Sequence, residues 1–203
     1  MSLFSVVSRK YRSIRRYNQI LRVLVRYGFG DLVSYMEEQK RFGWFRKLIP
    51  KSFRKSATHL TKYEKMRLAC EELGPTFVKF GQILSNRPDL LPLDLVNEFE
   101  KLQDNVPPLP GIIAKKVVET ELKKSTDDLF AWFEPEAFAS ASMAQVHKAT
   151  LKTGERVALK IQRPGIKEVI IEDIKVMYTV ADILDRRVPS IRSFDPVGLV
   201  RNF

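Results

Sequence analysis

Val157-Ala158-Leu159-Lys160 is the stretch of this 203-residue chain whose residue types point most directly to chemistry. Alternating apolar residues predict a strand over 156–162, with Val157, Leu159 and Ile161 on one face and Ala158 and Lys160 on the other. A small residue that lets a flat base approach, beside a lysine able to reach phosphate oxygens, is an arrangement that binds nucleotides. A lysine on a half-exposed strand face is equally at home as a solvated cation, so the pair needs context.

Context comes from upstream, in the segment Phe138-Ala139-Ser140-Ala141-Ser142-Met143-Ala144-Gln145-Val146. It occupies the place where a protein kinase keeps a glycine-rich loop, and it contains no glycine. Small side chains still let backbone N–H groups approach an anion, and the hydroxyls of Ser140 and Ser142 can donate. Alanine and serine restrict the backbone more than glycine, which predicts a stiffer cover over phosphates. The same residues also suit a tight turn in a packed hairpin. The third element is Lys79-Phe80-Gly81-Gln82, where helical spacing puts Lys79, Gln82 and Asn86 on one face and Gly81 admits another backbone. Buried, Lys79 would require a phosphate or carboxylate; exposed, the face is an ordinary polar stripe.

These residues need a scaffold, and the pattern supplies an α+β one. Arg9 to Met36 predicts two short amphipathic helices interrupted at Gly28 and Gly30. A capping box, Thr61 with Glu64, opens a helix that ends at Leu73 before Gly74-Pro75. A second runs from Pro75 toward Pro88, a third from Pro92 through Leu102, and a fourth over 112–123 with Ile113, Val117 and Leu122 or Val118 inward. Three strands then follow: Phe133 to Ala139, held to an edge by Pro135, then Ala144 to Leu151 and Arg156 to Gln162, the last two joined by a hairpin. A long helix after Pro164-Gly165 carries Ile166, Ile170, Ile174, Met177, Ala181 and Leu184, a stripe expected to bury against the preceding helices, and another helix opens near Val197. The expected divisions are a basic amphipathic region (1–60), a helical region (61–130) and a β-rich region with an inserted helix (131–203).

Charge is uneven. Residues 1–67 hold 17 of the 35 basic and 4 of the 24 acidic residues, while the remainder is close to neutral. Between Lys40 and Lys55 cations alternate with Phe42, Trp44, Phe45 and Phe53, which suits an anionic membrane surface or, equally, a solvated helical face. The neutral remainder and the lack of a nucleic-acid motif argue against a nucleic-acid partner. One cysteine and two histidines give neither a disulfide nor a zinc-site spacing, so no metal ligands are assigned and a reducing, cytoplasmic setting is expected. No apolar run reaches the length of a membrane span.

Taken together, three segments resemble the UbiB/ADCK-type atypical kinases. Leu73 to Ser85 is similar to the KxGQ signature, Phe138 to His147 to the alanine-rich loop, and Val157 to Gly165 to the lysine-bearing third strand. The resemblance covers about 62–203. It implies a protein-kinase-like fold: a helical KxGQ extension, then a partial antiparallel β N-lobe, with the C-lobe absent from this chain. It further implies ATP or ADP with Mg2+ as cofactor, Phe138 to Val146 together with Ala158 and Lys160 as the nucleotide site, and Lys79 and Gln82 as residues that occlude or tune the pocket.

By the same resemblance the αC glutamate, the catalytic-loop aspartate and asparagine, and the metal-binding aspartate fall beyond Phe203. The expectation is therefore a truncated N-terminal part of a transferase, an atypical kinase/ATPase supporting ubiquinone or another prenyl-quinone pathway, catalytically incomplete and peripheral to the inner face of a membrane. The competing expectation is a non-enzymatic regulatory module whose basic start contacts a membrane or a partner protein.

Overall fold

The computed structural model describes residues 3–40, 59–103 and 106–203. The basic aromatic stretch between Lys40 and Lys55 lies almost wholly outside the described residues. Packing separates the chain into a helical unit, residues 1–102 with 168–203, and a sheet unit, residues 103–167. This grouping differs from divisions at 60 and 130. The long helix, grouped with the strands in the 131–203 division, buries its apolar side against the preceding helices, as its stripe predicts, while residues just before 130 pack on the sheet.

In the helical unit, α1 (Leu3–Arg26) is one 24-residue helix rather than a short one, because nothing in that span breaks it. Gly28, at φ 90, turns the chain into α2 (Gly30–Lys40). The capping box forms as expected at α3 (Lys62–Leu73): Glu64 N–H donates to Thr61 Oγ1 at 3.2 Å and Thr61 N–H donates to Glu64 Oε2 at 2.7 Å. Pro75 is the first residue of α4 (Pro75–Ser85), and α5 (Leu93–Phe99) is shorter than the expected third helix.

Leu102, freed from α5, inserts into a cluster with Val78, Leu84, Leu95 and Phe99. The long helix, numbered α8 (Ile166–Arg187), contributes Val176 and Ile183 to a core with Ile20, Leu21, Val33, Met36 and Leu73. Its Met177 and Ala181 pack with Val200 of α10 (Pro196–Arg201), beyond the short α9 (Pro189–Arg192). Among the described residues no helix is long and apolar enough to cross a membrane.

The sheet unit starts with α6 (Gly111–Leu122) and the four-residue α7 (Thr126–Leu129), which is capped by Ser125. The core face of α6 is Ala114 and Val118 with Val117 at its edge. The expected inward residues Ile113 and Leu122 are exposed, because the docking of Gly111 rotates the helix onto its smaller residues. The expected first strand is interrupted: β1 (Phe130–Phe133) and β2 (Ala139–Ser140) lie end to end along one edge of β3 (Ala144–Leu151). Pro135 has no N–H to give to a ladder, and the chain bows out around it. The two ends stay tied by Glu134 N–H to Lys148 O at 2.9 Å and Phe138 N–H to Val146 O at 2.7 Å. β4 (Arg156–Gln162) pairs antiparallel along the other edge of β3, in an unbroken register from Ala144 opposite Gln162 to Thr150 opposite Arg156.

Candidate functional site

Strand alternation assigns each face of the sheet. Ala149, Leu151, Val157, Leu159 and Ile161 turn toward Ala114, Val118 and Phe130, forming the core of the unit. The opposite face therefore carries Val146 and Lys148 of β3 with Ala158 and Lys160 of β4. Register places Val146 opposite Lys160 and Lys148 opposite Ala158, so a half-buried aliphatic, a methyl and two ammonium groups share one surface. Ala158 and Lys160 are exposed, and among the described residues no carboxylate pairs with Lys160. A cation held on a paired strand, two residues from the methyl of Ala158, can receive an anionic ligand that has a flat apolar part.

The small-residue loop closes one end of this face. β2 pairs with β3 through Ala139 opposite Val146 and Ser140 opposite Gln145, and Ala141 N–H donates to Ala144 O at 2.9 Å, leaving Ser142 and Met143 at the tip. Ala139 is exposed, while Ser140, Ala141 and Met143 are half-buried. Phe138 opens the segment, 68% exposed, with the Lys148 ammonium 4.6 Å from its ring centroid. The loop thus presents small side chains and one aromatic outward.

Not every residue of the segment faces out. Ser142, Ala144 and Gln145 are buried. The Gln145 amide is fixed by Leu109, whose N–H donates to Oε1 at 2.7 Å and whose carbonyl accepts from Nε2 at 3.3 Å. That orientation points the other Nε2 proton at His147 Nε2, 2.7 Å away. His147 Nε2 is then the acceptor, and Nδ1–H donates to the Glu134 carbonyl at 2.8 Å. His147 is fully buried and stacked on Phe133. Leu109, Gln145, His147 and Glu134 form a polar chain beneath the loop that anchors both the β1–β2 break and the proline-rich connection.

Close packing supports the same region. A Cβ on Gly111 would collide with the Pro135 carbonyl, so glycine at the start of α6 is what lets the helix dock on the strand break.

The KxGQ residues sit on α4 of the helical unit. A Cβ on Gly81 would strike Leu102, and Gln82 Nε2 donates to the Leu102 carbonyl at 3.0 Å. Gly81 and Gln82 thus dock the chain that returns from α5. Asn86 Nδ2 donates to the Gln82 carbonyl at 3.0 Å, and Lys79 is exposed with no hydrogen bond or ion pair among the described residues. The polar stripe is therefore split: one member projects outward and the others bind backbone. Among the described residues no cluster of His, Cys, Asp and Glu is placed to hold a metal ion.

Residue-type reasoning passed over Gln145–His147 as a buried pair, and also Arg163, which clasps the loop from the end of β4. A hydrogen-bonding residue at an inward-alternating strand position, as His147 is, was the available signal. Nothing local marks Arg163.

Residues 101–203 match the family model of the ABC1 atypical kinase-like domain. The chain is 39% identical over 199 residues to a protein of Pseudomonas fluorescens described as "Probable protein kinase UbiB", covering 96% of this chain and 36% of that protein. The corresponding Pseudomonas aeruginosa protein is 40% identical over 96% of this chain and 37% of its own length. A Marinobacter nauticus protein of the same description is 46% identical over 144 residues, 71% of this chain and 26% of the relative. The chain spans little more than a third of the length of these two Pseudomonas relatives. The structure of the Rv3197–erythromycin complex from Mycobacterium tuberculosis aligns over 63% of this chain and 30% of that one, at 25% identity and a TM-score of 0.37.

Proposed function

The chain belongs to the ABC1 atypical kinase-like family, and on that footing we propose that its sheet unit binds ATP or ADP as the nucleotide-binding part of an atypical kinase/ATPase. The observation that carries this reading is the cross-strand surface of Val146, Ala158 and Lys160 at the mouth of the small-residue loop. Ala158 leaves room for a base against β4, with Val146 and the Phe138 ring as apolar surface. Lys160 supplies a cation for the α/β-phosphate oxygens, and it makes no competing ion pair among the described residues. Loop amides supply further donors.

These residues fit the nucleotide: a flat apolar platform, a strand-mounted cation and a close-approach loop are what a base and its phosphates require. Bound Mg-ATP would supply the phosphoryl group for transfer or hydrolysis. The residues named here bind it, orient it and restrict water over the phosphates. By the family resemblance Lys79 and Gln82 tune the nucleotide site. Of the two, Lys79 has the uncommitted head group, since Gln82 is engaged with Leu102.

The relatives' UbiB name supports a setting in ubiquinone or related prenyl-quinone biosynthesis, and the proposal extends by the family resemblance to the inner face of a membrane, with prenyl-quinone-pathway lipids or proteins as partners. Isothermal titration with Mg-ADP tests the nucleotide reading. The wild-type chain binds, and Ala158→Trp, which fills an exposed surface position without touching the core, abolishes binding. Equal binding by both would overturn it.

A further inference from the structure

Arg163 lies one residue past β4, half-buried, and its contacts converge on the small-residue loop. Its backbone N–H donates to the Met143 carbonyl at 3.0 Å, extending the β3–β4 ladder to the loop tip. Its Nε donates to the Ala141 carbonyl at 2.9 Å, and its Nη2 donates both to Ser140 Oγ at 2.8 Å and to the Pro107 carbonyl at 2.9 Å. One side chain therefore ties three segments: the loop, the end of β4 and the proline-rich connection before α6. A planar fork with several donors in fixed directions can do this; a single ammonium cannot reach all three acceptors. Pro164-Gly165 follows at once, with Gly165 at φ 75 turning the chain away, so Arg163 is the last residue of the strand able to face the loop.

We infer that Arg163 is a positioning residue that latches the Ser140–Ala144 loop in place for phosphate binding. This rests on the nucleotide reading of the same site. The loop has no glycine, yet its tip is only two residues and its outer side is open. What holds it shut is a charged fork against a carbonyl and a hydroxyl, and hydrogen bonds from a charged donor are the stronger kind. Ser140 takes a defined part. Its oxygen accepts from Arg163, and the register that sets Ser140 opposite Gln145 puts this bond on the face of the sheet away from Lys160, so the latch holds the loop from behind. Serine at this position completes the latch, which alanine could not do. A latched loop is already ordered before ligand arrives, so nucleotide binding does not have to supply that ordering.

The test compares Arg163→Ala, Arg163→Lys and Ser140→Ala with the wild-type chain by hydrogen exchange without ligand and by Mg-ADP titration. Expected is exchange at least about tenfold faster at the loop amides in both Arg163 variants, with the paired amides of β3 and β4 unchanged, and Mg-ADP affinity at least about tenfold weaker, since one charge-assisted hydrogen bond alone is worth about that factor and Arg163→Ala loses three. Arg163→Lys keeps the charge and is expected not to rescue. Ser140→Ala, which leaves the Ala141 and Pro107 bonds intact, is expected to shift both readouts less and in the same direction, and it carries the test if Arg163→Ala does not fold. Unchanged loop exchange, or full rescue by lysine, would overturn the latch. Faster exchange with undiminished Mg-ADP binding would overturn its positioning role. A wild-type chain that binds no Mg-ADP would instead overturn the nucleotide reading and the phosphate role with it, while the exchange comparison still decides the latch.

Discussion

Arg16 closes a fork on Asp173, with Nε 2.6 Å from Oδ1 and Nη2 2.9 Å from Oδ2, joining residues 157 positions apart in the chain. Asp173 is fully buried and Arg16 nearly so, and the same Nη2 donates to the Leu73 carbonyl at the end of α3 at 2.6 Å. The fork thus pins α1, α3 and α8 together. A cation that composition alone assigns to an anionic surface is committed to the interior, and Arg26 is likewise paired with Glu72. Arg16→Ala leaves a buried carboxylate without its partner and is expected to cost about 3–5 kcal/mol, read from urea unfolding. The paired change Arg16→Met with Asp173→Leu is expected to recover much of that loss, because it removes both desolvated charges at once.

Gly111 is predicted to be far less replaceable than its position at a helix start suggests. In Gly111→Ala the new methyl meets the backbone carbonyl of Pro135, which cannot rotate aside as a side-chain end could. A destabilisation of about 1–3 kcal/mol is expected. Hydrogen exchange should show it concentrated in α6 and the β1–β2 break.

Glu98 gives the helical unit a pH dependence. Lys101 beside it, together with Arg67 at 2.9 Å, holds its carboxyl below the usual range. A carboxyl whose folded pKa is depressed contributes stability that is fully present above its unfolded value, about 4.3, and is lost as pH falls through the lower folded value. The urea midpoint of the wild type should therefore fall over that acid window. In Glu98→Gln the fall should be shallower, and the two proteins should differ most at neutral pH.

Cys70 is expected to be chemically silent in the folded protein. Burial pushes its thiol up to about 12, so almost no thiolate exists at pH 8. Cys70 is half-buried on α3, so iodoacetamide should label it far more slowly in the folded protein than in denaturant, and equal rates would contradict the raised thiol.

What was legible in the sequence was what a residue does with its near neighbours. The Thr61–Glu64 capping box, the Gly28 break and the alternation that separates Ala158 and Lys160 from Val157, Leu159 and Ile161 are all set within a few residues, and each formed as read. The first strand was misplaced because the alternation around Phe133 to Ala139 spans Pro135, whose missing N–H outweighs the pattern. The inward face of α6 was read only in part, since Val117 and Val118 turn inward as expected while Ile113 and Leu122 are exposed. Hydrophobicity favours Ile113 and Leu122, but the close approach of Gly111 to Pro135 decides the rotation, and no local signal records it. The residues that hold the loop, Arg163 and the Gln145–His147 pair, find their partners 13 to 56 positions away or on backbone atoms that carry no sequence identity.

The nucleotide reading of the sheet face is tested most directly by the melting temperature of the chain with and without Mg-ATP or Mg-ADP, in the wild type and in Lys160→Ala. Binding to the folded state alone raises stability by mass action, about 2.7 kcal/mol at a hundredfold excess of ligand over Kd. The account predicts a clear upward shift in the wild type that shrinks in Lys160→Ala while the ligand-free melting temperatures agree, since Lys160 is exposed and packs in no core cluster. No shift in the wild type, or an equal shift in Lys160→Ala, would contradict it.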